Sequence, residues 1–178
     1  MRLPRPLWIG LATILLVFAA AAVHIGVPIY RQWVAIKQVE GLGGTVDGDR
    51  FGSTWLGDRI GRELRLPLQR VTWIGLAGTP ATDATVSQIA QFSELEWLIL
   101  DQTLITDEGL AHLRRLLKLE GLSLNGTQVT DAGLSHLKVL SGLRHLRVDG
   151  TQVNEASSKR LKLALPQARI SGNGFLIK

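Results

Sequence analysis

From Val71 to Pro166 apolar and polar positions alternate in a pattern that returns every 24 residues. Val71, Leu95, Leu119 and Leu143 open four successive units. Ile74, Leu98, Leu122 and Leu146 hold the fourth position, and Leu76, Leu100, Leu124 and Val148 the sixth. Alternation across these few residues predicts a short strand with one apolar face. A turn follows at Ala77-Gly78-Thr79-Pro80, Asn125-Gly126-Thr127 and Asp149-Gly150-Thr151. Asn-Gly and Asp-Gly accept left-handed backbone angles and bend the chain. Thr82-Asp83, Thr106-Asp107 and Thr130-Asp131 then read as helix starts, the threonine as N-cap and the acid near the positive end of the dipole. Leu110, Leu113 and Leu116 recur at helical spacing, as do Leu134, Leu137 and Leu140. Units this small cannot bury their own apolar faces, so they must stack.

The expected fold class is therefore α/β: a solenoid with short parallel strands on its concave face and short helices on its convex face. The shared pattern, L-x-x-L-x-L-x-G-T-x-V-T-D-x-G-L-x-x-L, resembles that of small bacterial-type leucine-rich-repeat proteins, over roughly half of the chain. The resemblance implies a leucine-rich-repeat scaffold and a surface that binds. It implies no particular chemistry, because that family is defined by its scaffold.

The fourth unit departs from the pattern. Asn154-Glu155-Ala156-Ser157-Ser158 replaces Thr-Asp-x-Gly-Leu, and Lys159, Arg160 and Lys162 make its helix basic. Terminal repeats vary because they close the open end of the core. Pro166 ends the helix, Ala168-Arg169-Ile170 can add one last strand, and residues 167–178 read as a C-terminal cap and tail.

Residues 1–30 form a different segment. Leu7 to Tyr30 contains no Asp, Glu, Lys or Arg, and a run of about 20 such residues suffices for a transmembrane helix. Arg2 and Arg5 precede it, which favours an internal N-terminus and repeats outside a cytoplasmic membrane in single-pass topology. Trp8 and Tyr30 stand where interfacial aromatics belong. The competing reading is a signal sequence cleaved after Ala20-Ala21-Ala22, giving a secreted or periplasmic product. The apolar run continues through Val23, Ile25, Val27 and Ile29, which favours the anchor.

Residues 31–70 read as a helical N-terminal cap or linker. Arg31 to Glu40 predicts an amphipathic helix with Trp33, Ile36 and Val39 near one face, ended by Gly41 to Gly44. Thr45-Val46 can begin a strand, residues 47–53 read as a loop, and Thr54 to Leu64 as a second helix. This order resembles the N-terminal caps of such repeat proteins. On that reading Trp33 and Trp55 cover the first repeat, since large aromatics usually fill cores; a ligand role is the alternative.

The chain has no cysteine, which excludes disulfides, thiolate zinc sites and cysteine nucleophiles. Its net charge of +5 is interspersed with acids, so nucleic acid is not the expected partner. Anionic envelope polymers or lipid headgroups fit an exported protein better. Ordinary solvated charge is the favoured explanation of the excess.

Candidate chemistry lies between the strand leucines. Trp73, Trp97, Gly121 and His145 share the third position; Gly75, Ile99, Ser123 and Arg147 the fifth; Ala77, Asp101, Asn125 and Asp149 the seventh. Trp73 and Trp97, side by side, are the expected anchor of a protein-binding face unless the N-terminal cap covers them. Ile99, Asp101, Ser123, Asn125, His145, Arg147 and Asp149 complete that candidate face. The expected partner is another protein, the alternative an anionic polysaccharide or lipid held by basic residues. Asp101, Asn125 and Asp149 could attract a hard cation or, alternatively, bond the turn backbone. Thr79, Thr103, Thr127 and Thr151 read as a hydrogen-bonding ladder under the turns. His112 and His136 are equivalent helix residues without further ligands nearby. His145, Asp149 and Ser123 include the residue types of a hydrolytic triad but no pocket or oxyanion hole. No phosphate loop, nucleophile elbow or zinc-helix motif occurs, so no enzyme, cofactor or metal is expected.

Overall fold

The computed structural model describes residues 13, 16, 17, 19, 20, 22–49 and 70–178. Part of the apolar span read as an anchor, and the expected helix at 54–64 with Trp55, lie outside the described residues. Among those described, no helix is long and apolar enough to cross a membrane.

A π-helical turn, Ala22–Gly26, runs directly into helix α1, Val27–Gly41. The strands are β1 (Thr45–Asp49), β2 (Arg70–Gly75), β3 (Trp97–Ile99), β4 (Gly121–Ser123), β5 (His145–Arg147), β6 (Arg169–Gly172) and β7 (Phe175–Ile177). Four helices alternate with them: α2 (Asp83–Ile89), α3 (Asp107–Leu113), α4 (Leu134–Leu137) and α5 (Glu155–Ala164). All seven strands form one sheet in sequence order. β2 to β6 are parallel, each repeat paired with the next in the register that the period demands. The result is an α/β solenoid.

The core lies between this sheet and the helices. Leu98 and Leu100 point into it from β3 and its exit, and Leu110, Leu113 and Leu116 meet them from the helical side, all at 0% exposure. Burying each such side chain contributes about 1.5–3 kcal/mol. Ala81, Ile105, Val129 and Val153 form a further column at the turn into each helix.

Both ends of the sheet are closed by antiparallel strands. β1 pairs with β2 through a bulge at Asp47/Gly48, so residues read as the start of a loop belong to a strand. β7 returns along β6 through Asn173-Gly174, whose φ angles of 46° and 84° fit a tight hairpin turn. Closing strands and short edges protect a solenoid from edge-to-edge pairing. The N-terminal closure differs from expectation in its aromatics. Ala35, Ile36 and Val39 of α1 enter the core, whereas Trp33 stays 36% exposed and stacks on Tyr30, with ring centroids 6.2 Å apart. Small and aliphatic residues cover the first repeat because the α1 surface facing it also packs against β1 and α2.

Candidate functional site

Strand alternation turns the third and fifth positions of each unit away from the core. The third-position column runs Asp47, Trp73, Trp97, Gly121, His145, Arg169 across the sheet. The fifth-position column runs Thr45, Gly75, Ile99, Ser123, Arg147, Ser171, Leu176. Trp73 and Trp97 are register partners, as the repeat requires. Their rings, however, do not form one patch. The indole of Trp97 leans over Gly121, so closely that a β-carbon there would lie 2.1 Å from its ring. It continues to His145, on which it stacks with centroids 5.6 Å apart and planes 20° apart. Trp97 is 41% exposed. Trp73 is half-buried, its ring folded back over its own Gly75, where Thr45 of β1 also closes in. The expected side-by-side anchor of Trp73 and Trp97 is therefore replaced by a Trp97–His145 stack. The glycine at position 121 lets the aromatic side chain span a repeat and reach His145.

The seventh-position residues act as acceptors across the repeat boundary. Asp101 accepts from the Ser123 hydroxyl at 2.6 Å and from the Asn125 backbone N–H at 2.9 Å. The Asn125 side-chain oxygen, Oδ1, accepts from Asp149 N–H at 2.9 Å. Asn173, at the hairpin turn, accepts from Gly150 N–H at 2.8 Å and so ends the series. These oxygens fix strand ends, the turn-bonding alternative of the two read from sequence. Among the described residues no group of three His, Asp or Glu side chains could hold a metal ion.

Thr79, Thr103, Thr127 and Thr151 each donate to the carbonyl three residues earlier, at 2.6–2.8 Å. Each bond is local to its own turn, so the threonines brace turns without forming a ladder between repeats. Backbone bonds such as Gln102 N–H to Asn125 carbonyl, at 2.6 Å, join the turns instead.

The acids at the helix starts make a second inter-repeat connection. Asp83 accepts from both the N–H and the hydroxyl of Thr106, at 2.9 and 2.6 Å. Asp107 accepts from Thr130 in the same way, at 2.8 and 2.6 Å. Asp131 takes the N–H of Asn154 at 2.9 Å, its side-chain amide, and the hydroxyl of Ser157. The Ser157 bond, followed by the Asn154 N–H, holds the Asp131 carboxyl below its ordinary range. The sequence reading placed these acids near a helix dipole and missed their role between repeats.

Other residues singled out in sequence separate. His145 stacks on Trp97 while Ser123 bonds Asp101, so the triad residue types are not assembled. His112 borders a shallow convex groove of about 490 Å³; the equivalent His136 lies half-buried on the next helix. In the basic helix, Lys159 pairs with Glu155 at 2.7 Å and Lys162 donates to the Ala168 carbonyl at 2.8 Å. Two exposed concave residues escaped the sequence reading, Arg169 and the 54% exposed Leu176. Leu176 lies on the closing strand, which does not repeat. Arg169 was signalled by falling one period after His145, beside Ile170 of the last parallel strand.

No protein-family model and no curated protein matches the chain. Among solved structures it is similar to internalin C2 of Listeria monocytogenes, at 31% identity over 47% of this chain and 34% of that one, with a TM-score of 0.41. It is similar to a leucine-rich-repeat protein of Leptospira interrogans, at 21% identity over 48% and 27%, TM-score 0.36. Internalin F of Listeria monocytogenes is similar at 18% identity over 52% and 32%, TM-score 0.37. The chain spans about a third of the length of these proteins.

Proposed function

We propose that this chain is a membrane-anchored protein-interaction module that docks another protein on its concave sheet and catalyses no reaction. The observation that carries this reading is the setting of Trp97. A large aromatic side chain stands 41% exposed on a rigid sheet, fixed from below by Gly121 and from the side by His145. Exposed tryptophans held in place are favourable anchors, because little conformational entropy remains to be lost on binding. The uncharged span from Leu7 to Tyr30 would hold the module on the outer side of the cytoplasmic membrane. Envelope-polymer binding through the basic helix is the weaker reading, since Lys159 and Lys162 already have partners.

A photo-crosslinking residue placed at concave Ile99, in cells, should form protein adducts that Trp97→Ala abolishes. The same residue at convex Ser87 should form none of them. Adducts from Ser87 alone, or adducts from Ile99 that ignore Trp97, would move the docking surface elsewhere. Intact-mass measurement of the membrane fraction tests the anchor: the full chain is expected, and a soluble product starting near Val23 would overturn it.

A further inference from the structure

The concave face carries more chemistry than an aromatic anchor. His145 and Arg169 are register partners on β5 and β6, and Arg147 lies two residues along from His145. All three are exposed. Some cations elsewhere on the molecule are matched by acids: Arg70 and Lys118 meet Glu94, at 2.8 and 2.7 Å, and Lys159 meets Glu155. Among the described residues, no carboxylate lies within 4.0 Å of Arg147 or Arg169. The nearby acids stand at the turn edge, where Asp101 is occupied by Ser123 and Asn125 and Asp149 follows Arg147 by two residues.

Diagonal neighbours on adjacent strands are about 7–8 Å apart at their backbones, within reach of two long side chains converging on one group. Guanidinium groups suit a planar carboxylate, which they can bond in paired, charge-assisted fashion. The Trp97 indole walls the N-terminal side of this pair at a distance set by Gly121 and His145.

We infer that the concave face recognises an acidic protein segment, placing a partner carboxylate over Arg147 and Arg169 and an adjoining aromatic or aliphatic side chain on Trp97. The inference rests on the concave-docking reading and adds the chemistry of the partner to it. A peptide is favoured over a polysaccharide because the face offers one aromatic wall and one cationic pair side by side, which matches two neighbouring side chains. A polyuronate would call for a charge at each sugar along the groove, whereas Ile99 and Ser123 line its middle.

The test uses the full chain in nanodiscs and a displayed library of random 12-residue peptides. Recovered peptides should be enriched in Asp or Glu next to Phe, Tyr, Trp or Leu. The Arg147→Gln/Arg169→Gln variant should lose the acidic enrichment and bind a recovered peptide about tenfold more weakly, with the aromatic preference retained. Trp97→Ala should lose the aromatic preference and retain the acidic one. Gly121→Ala, which displaces the indole without removing it, should weaken the same peptide.

Peptides that bind through Trp97 without acidic enrichment would sink the charge inference while leaving concave docking in place. An acidic preference that survives the double arginine variant would do the same. No recovered peptides, together with retention of polygalacturonate that the arginine variant loses, would overturn it in favour of polysaccharide. Recovered peptides indifferent to every one of these substitutions would overturn the concave-docking reading as well.

Discussion

Asp107 grips Thr130 of the following repeat by two hydrogen bonds at once, to its backbone N–H at 2.8 Å and its hydroxyl at 2.6 Å. The N–H belongs to the turn before α4, where no intrahelical acceptor is available to it. The bonds therefore satisfy a turn N–H and join two repeats together. Asp107→Ala removes both and should cost about 1–3 kcal/mol, read by urea unfolding. Glu108→Ala, one residue along and exposed, should stay within about 0.5 kcal/mol.

The same aspartate explains the glycine that follows it one repeat later. A β-carbon at Gly133 would lie 2.2 Å from the Asp107 carboxylate, and one at Gly109 would lie 2.4 Å from that of Asp83. Glycine to alanine at a helix ordinarily stabilises, by up to about 1 kcal/mol. Here Gly133→Ala should destabilise, because it dislodges the carboxylate. In an Asp107→Ala background the same change should become neutral or stabilising. A double-mutant cycle checks this; additive effects would show that the close approach is not what selects glycine.

This coupling was only half legible in sequence. Thr, Asp and Gly recur together in the second and third repeats, and the period signalled that they belong to each repeat, yet the contact crosses the repeat boundary. The departures are consistent with it. Ser157 replaces the glycine in the last unit and donates to Asp131. Thr85 stands there in the first unit, which has no preceding aspartate, and its hydroxyl accepts the Thr82 N–H instead. Strand positions, register and core leucines followed from period alone, since alternation and stacking determine them. The closing strands β1 and β7 did not, because neither repeats and each finds its partner only when the solenoid end exists. The direction of the Trp97 ring depends on Gly121, one repeat away, and no local pattern encodes it.

The N-terminal closure makes a prediction that separates aliphatic from aromatic cover. Ile36 is fully buried, whereas Trp33 lies against Tyr30 and solvent. Ile36→Ala should cost about 2–5 kcal/mol, as core truncations do. Trp33→Ala should change stability by about 0.5 kcal/mol or less. Thermal melts of the two variants decide it, and equal losses would return Trp33 to the core.

Acid should weaken the junction between the third and fourth repeats. The Asp131 carboxyl is held below its ordinary range by Ser157 and the Asn154 N–H. Glu94 is lowered by its bond from Lys118, with Arg70 adding to it. A carboxylate whose folded value is depressed contributes stability above its unfolded value, about 3.9 for aspartate, and loses it as the pH falls through the folded value. Asp131→Asn should therefore be less stable than the parent at neutral pH and converge with it below about pH 4. Parallel curves down to the lowest pH that permits folding would mean Asp131 is not the titrating group.

The two tryptophans should respond differently to truncation, although repeat position alone makes them equivalent. Trp73 is half-buried, on the strand that β1 pairs with, and its ring covers Gly75 beside Thr45. Removing it opens the junction between the N-terminal closure and the first repeat. Trp97 rests on Gly121 and His145 with 41% of its surface in solvent, and its loss leaves the backbone of β3 and β4 paired as before. Trp73→Ala should thus cost about 1–3 kcal/mol, less than full burial would imply. Trp97→Ala should cost about 1 kcal/mol at most, because only a ring stack and partial burial are removed. Fluorescence would separate them further, since the emission of Trp97 should be quenched by an aqueous quencher more strongly than that of Trp73, each followed in a variant whose other four tryptophans are replaced by Phe. Equal costs near the upper figure would place both rings in the core and remove Trp97 as a docking anchor.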